Sequence, residues 1–215
     1  MTTGREDLLG EPRKRRANGE ASRRRILEAA ADIAGERGYE GTSINLVSER
    51  SGLPASSIYW HFKDKDELIA AVIDRSFQQW VEAVGRPLST PAGADSEQVF
   101  RLRLQRTGEA LASFPDFLRL GLMLILERRP DEPTARGRFI EVRHFTGARL
   151  GAFYERYFAA LDAAGIASLV TLTMALADGL FIASEVEDIE LSKAFDLMAV
   201  AILGAAEQLR RSPRR

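Results

Sequence analysis

Apolar residues return at every third or fourth position along nearly the whole of this chain and nowhere alternate one by one, a period that admits helices and excludes strands. From Ser22 the positions Ile26, Ala29, Ala30, Ile33 and Ala34 keep this spacing until Gly38 stops it. A second, short helix is predicted from about Ser43 to Arg50, with Thr42 or Ser43 as N-cap and Ile44 and Val47 inward. Ser51-Gly52-Leu53-Pro54 then breaks the pattern: Gly52 can turn left-handed and Pro54 can open the next helix, which runs to Phe62. A long fourth helix carries Leu68, Val72, Ile73, Phe77, Trp80 and Val84 from Lys65 to about Gly85, and residues 87–95 read as a loop. Further helices are expected at about 96–113, 115–128, 132–164, 166–185 and 191–211. The expected fold is therefore all-α: a flexible basic arm over residues 1–20, a three-helix helix-turn-helix head over 21–66, and a helical bundle over 67–212, entered through the fourth helix.

Composition narrows the chemistry. A chain of 215 residues with 45% apolar content can bury a core, and the absence of cysteine excludes disulfides, thiol nucleophiles and thiolate metal sites. The two histidines, His61 and His144, lie on separate segments, and there is no phosphate loop, nucleophile elbow or paired-histidine zinc motif. No enzyme activity, metal or cofactor is expected. Glu6 and Asp7 stand at the N-terminus with no signal-like apolar run, which predicts a cytoplasmic chain. Residues 166–184 are almost long and apolar enough to span a bilayer, but Ser168, Thr171, Thr173 and Asp178 interrupt them. A helix buried on most sides by protein, with no membrane partner, is the expectation there.

Net charge is only −1, so where the charges lie matters more than their sum. Arg13, Lys14, Arg15, Arg16, Arg23, Arg24 and Arg25 face Glu20 alone over thirteen residues. Such a run is either a solvated tail or a surface that neutralises phosphates. The third helix weighs on that choice. At 100° per residue, Ile58 and Phe62 fix its inward side, which leaves Trp60, Ser56 and Ser57 outward with Tyr59 and His61 flanking. A tryptophan with no core to enter is a costly exposed aromatic or a contact surface, and the serines beside it favour contact. His61, near Lys63 and Lys65, suits a phosphate contact or packing equally.

Over Ser51-Gly52-Leu53-Pro54-Ala55-Ser56-Ser57-Ile58-Tyr59-Trp60-His61-Phe62-Lys63-Asp64-Lys65-Asp66-Glu67-Leu68 the sequence resembles the TetR family of bacterial transcriptional regulators, and Ile58 to Lys65 is especially similar to its multidrug-efflux repressors. The resemblance extends through Gly38-Tyr39, Thr42-Ser43 and the Ile26 helix, about residues 22–77 in all. It implies binding to palindromic double-stranded operator DNA as a homodimer, with Ser43, Tyr59, His61 and Lys65 on the phosphate backbone, and Trp60, Ser56 and Ser57 toward bases or the phosphates lining the groove. Lys63 belongs to the same basic edge, and Arg15 and Arg16 of the arm are placed in the adjacent minor groove, as extended arms are elsewhere. The chain departs from the family pattern at Pro54, where a small polar cap is common, at Ser56, where glycine is, and at Ser48 and Ser51, where alanine is.

Beyond residue 77 the match is one of style. The resemblance implies that the last two helices pair with a second copy through Leu172, Leu176, Leu180, Phe195, Met198, Ile202 and Leu209, although such faces can also close the chain's own core. It implies a small-molecule effector, apolar or aromatic, that releases DNA. Phe77, Trp80, Phe117, Met123 and Phe181 are the expected walls of its site, with Glu127, His144, Tyr154 and Asp178 as polar partners, against the plainer reading that these residues are core. A helical protein-interaction module would share the fold without needing Trp60 in solvent.

Overall fold

A computed structural model describes residues 11–127 and 134–211, with side chains from Ala17 onward. Among these residues every regular element is an α-helix: α1 Glu11–Gly41, α2 Ile44–Ser51, α3 Ala55–His61, α4 Lys65–Gly85, α5 Ser96–Ser113, α6 Asp116–Leu126, α7 Thr134–Tyr157, α8 Ala163–Ser184 and α9 Leu191–Arg211. The chain divides into two units: one runs through Arg75 and includes Arg119–Arg138, and the other comprises Ser76–Leu118 and the residues from Phe139 on. Helix α4 contributes to both.

Two boundaries differ from those the apolar period predicts. Residues 11–20 are not an irregular arm but the first turns of α1. Pro12 fits a first turn, where its missing N–H costs nothing, and Arg, Lys and Ala are good helix formers; neither signal shows in apolar spacing. Helix α7 stops at Tyr157 instead of running on to residue 164, because the Asp162 carboxylate accepts from the Gly165 N–H at 2.7 Å and starts α8 afresh.

In the first unit α1, α2 and α3 pack together around Ile26, Ile33, Val47, Ile58, Phe62 and Leu68, each at most 2% exposed. Burying each such side chain contributes about 1.5–3 kcal/mol. Helix α1 kinks at Gly38, whose φ of 71° suits glycine, and a Cβ there would stand 2.8 Å from the Met123 methyl. Asp66 anchors the entry to α7: its carboxylate accepts from the Thr134 and Ala135 N–H groups and from the Tyr39 hydroxyl.

In the second unit α9 lies against α5 and α8. A Cβ on Gly108 would come within 2.5 Å of the Leu191 carbonyl, so only glycine allows α5 that close to α9. Arg101 clasps Asp196 across this seam with two bonds, of 2.8 and 2.6 Å, and the Arg101 pair holds the Asp196 carboxyl below its usual range. Phe195, Met198 and Ile202, expected to face a second copy, are buried inside this packing. The chain's own helices cover that stripe of α9. Helix α8 gives the opposite result: it is long and apolar enough to cross a membrane, yet only 22% of its most apolar stretch is buried within the chain. The expectation of a helix covered on most sides does not hold inside one copy, since composition shows how much apolar surface exists and not which chain covers it.

Candidate nucleic-acid interface

The turn between α2 and α3 is held from several directions. Gly52 caps α2 at φ 65°, donating its N–H to the Glu49 carbonyl at 3.3 Å. Arg25 reaches across from α1 to the Ser51 carbonyl at 2.6 Å. The Ser48 hydroxyl donates to the Leu53 carbonyl at 2.7 Å, and the Ser51 hydroxyl accepts from the Leu53 N–H at 3.3 Å. Ser48 and Ser51, two of the departures noted above, are thus the residues that brace the turn. Arg25, counted by sequence with the phosphate-neutralising run, is occupied in the same bracing. Sequence spacing offered no sign of either role, because all three bonds close across the turn or between helices.

On that turn α3 buries Ile58 and turns its other side outward. Trp60 is 76% exposed and Tyr59 57%; Ser56 and Lys63 are exposed and Ser57 and His61 half-buried. The Trp60 and His61 rings meet edge-on at 4.5 Å. Partial burial, and then the Arg23 cation, hold the His61 imidazole below its ordinary pKa. Folding therefore favours the neutral ring, and that contribution is present above the ordinary histidine range and fades as pH falls through it. A neutral His61 can donate one N–H to a phosphate without adding to counterion release. Ser43, itself exposed, caps α2 and accepts from the Leu46 N–H at 3.3 Å.

Lys65 stands apart from this outward face. Its ammonium donates to the Tyr39 carbonyl at 3.2 Å, pairs with Glu40 at 3.4 Å and lies 4.3 Å from the Tyr39 ring centre. Two of its three N–H donors are engaged within the head. Lys65→Ala is expected to lower stability by about 1–2 kcal/mol, through the lost bond and cation–π contact; Lys63→Ala should melt with the unaltered chain. Equal melting of all three proteins would show that Lys65 holds nothing. Arg15 and Arg16 lie outside the residues whose side chains are described.

The expected effector residues are dispersed. Phe77, Trp80 and Phe117 do meet, joined by Phe145, with ring centres 5.5 to 5.9 Å apart. The Trp80 indole N–H is buried there with no hydrogen-bond partner among the described residues. Tyr154 sits in a second aromatic group with Phe100, Phe153 and Phe158. Its hydroxyl bonds Thr173 at 2.7 Å, and burial pushes its pKa up to about 12. Asp178 is filled by Arg143, with both carboxylate oxygens at 2.8 Å. Phe181 is buried and His144 exposed, while Met123 and Glu127 fall in the first unit.

Two short helices across a braced glycine turn, a third packed behind, and aromatic and hydroxyl side chains presented outward define a helix-turn-helix head. Residues 26–72 match the model of the bacterial regulatory proteins of the tetR family, over the helices that build this head. An HTH-type transcriptional repressor of Mycobacterium tuberculosis is 32% identical over 71 residues, 33% of this chain and 27% of that one. The HTH-type transcriptional activator FasR of Mycolicibacterium smegmatis is 30% identical over 118 residues, 55% of this chain and 51% of that one. The chain thus spans between about a quarter and a half of the length of these relatives, which are named as regulators and not as enzymes. In fold it is similar to the fatty acid degradation regulator FadR of Bacillus halodurans, with a TM-score of 0.68 at 14% identity over 85% of this chain and 94% of that one.

Proposed function

We propose that this chain is a DNA-binding transcriptional regulator that grips an inverted-repeat operator as a cytoplasmic homodimer and is released by a small apolar molecule held in its second unit. The observation that carries the reading is α3: Ile58 is buried and Trp60 three-quarters exposed on one short helix, beside exposed Ser56 and Tyr59. A folded chain keeps a tryptophan in water when a partner will cover it. Occupying an operator blocks transcription unless the bound protein also recruits polymerase, so repression is the simpler mode.

The effector site suggested by packing is the Phe77, Trp80, Phe117 and Phe145 group, with the orphan indole N–H as donor for an acceptor on the ligand. Leaving such a donor unmet costs about 1–3 kcal/mol, which a bound acceptor recovers. Helix α4 carries Trp80 at one end and Lys65 at the other, so a ligand that moves the aromatic end acts on a helix that also builds the head. The full chain, a labelled duplex selected from a random pool, and a panel of aliphatic and aromatic acids, alcohols and amines test the whole reading. Effective ligands are expected to weaken duplex binding by roughly 5- to 150-fold, with the duplex weakening ligand binding by the same factor. Tight ligands indifferent to the duplex would contradict release.

A further inference from the structure

We propose that the first turns of α1 are a second DNA-holding helix, and that the cleft between them and α3 seats one phosphodiester of the DNA backbone together with its deoxyribose. This rests on the head acting on DNA. The cleft is about 380 Å3 and is lined by Asn18, Gly19 and Ser22 of α1 and by Ser56, Ser57, Trp60 and His61 of α3. The Trp60 ring reaches α1 there: a Cβ on Gly19 would stand 3.8 and 3.9 Å from its outer ring atoms. The early turns of α1 therefore flank the same exposed ring that marks the DNA-reading side.

Three physical considerations select the occupant. The lining offers the Asn18 amide, three serine hydroxyls and an imidazole, and none of the seven residues is acidic, so no lining side chain repels an anion. The Trp60 edge supplies an apolar wall for a sugar. Upstream, Arg13, Lys14, Arg15 and Arg16 fall in the opening turns of α1. A run of four cations in the sequence suits neutralisation by phosphates. Width decides the mode. A helix about 10–12 Å across does not enter a minor groove about 6 Å wide, so the stretch that is helical from Glu11, about 17 Å of it before Ser22, lies along the backbone and not in the groove.

Full-length variants and a duplex selected by the unaltered chain test the proposal, with binding read by anisotropy and phosphate contacts by ethylation interference. The double variant Asn18→Ala with Ser22→Ala should bind about tenfold more weakly, at an unchanged salt slope, and lose one interfering phosphate per head. Gly19→Ala adds a Cβ at ordinary contact distance and favours helix, so it should bind at least as well as the unaltered chain. Gly19→Leu fills the cleft and should lose at least about tenfold. If the unaltered chain binds no duplex, the DNA-binding reading itself fails. If it binds, and Gly19→Leu and the double variant match it, or shift base preference with the interference pattern intact, this proposal alone is overturned.

Discussion

Leu197→Glu is expected to leave this chain folded and to abolish the proposed dimer, while Ile202→Glu, five residues along the same helix, is expected to prevent folding. Leu197 is 71% exposed in a single copy, and Val200 is 45% exposed beside it; Ala201 and Gly204 continue the exposed side of α9. On α8, which packs against α9, Leu172 and Ile182 are also exposed. A Cβ on Gly179 or Gly204 would meet no atom of the described residues within 4 Å, so none of these requires a small residue at either position. Exposed apolar and small residues that share a pair of helices fit a second copy of the same pair, related by a two-fold axis.

A carboxylate at Leu197 would be buried twice in such a dimer, at about 2–5 kcal/mol each, which weakens association by at least about a thousandfold. Ile202 is fully buried against the chain's own helices. An unpaired charge there opposes the whole of a stability that is typically about 5–15 kcal/mol. Sedimentation and thermal melting separate the two variants. A Leu197→Glu dimer, or an Ile202→Glu chain that melts normally, would show that this face has been misassigned.

Trp60→Ala should have the second largest effect. The ring is mostly in water, so its loss should leave melting unchanged, yet it is the largest exposed side chain on α3. Affinity for a selected duplex should fall by about a hundredfold, or 2–3 kcal/mol, because aromatic anchors carry much of the energy of a recognition surface. The salt slope should stay nearly intact. Lys63→Ala should do the reverse, weakening all sequences alike and lowering the slope by about one unit. Equal slope losses in the two variants would contradict these roles.

The helices whose limits follow from apolar spacing and from caps, α2 to α5 and α9, were legible in the sequence. Helix α1 was legible only from Ser22, because its first turns are charged and carry no apolar period. What they pack beside, the Trp60 ring, is a tertiary fact. On α9 the period located two sides but not their covers: Phe195, Met198 and Ile202 turn to α5 and α8, and Leu197, Val200, Ala201 and Gly204 turn away. The outward set on α3 could be placed from Ile58 and Phe62 alone. The bracing by Arg25, Ser48 and Ser51 could not, since a hydroxyl or guanidinium shows nothing in sequence of the carbonyl it will meet. For the effector residues, helical spacing brought Phe77 and Trp80 together but could not separate Tyr154, which α8 satisfies through Thr173.

Selection of duplexes from a random pool by the full chain, followed by measurement of how many chains each enriched duplex holds, tests DNA reading by a paired helix-turn-helix most directly. The expected result is an inverted repeat whose half-site centres lie about 34–36 Å apart or a multiple of it, holding chains in pairs and no longer enriched by Trp60→Ala. No enrichment, or an enriched site without two-fold symmetry that Trp60→Ala binds equally well, would contradict it.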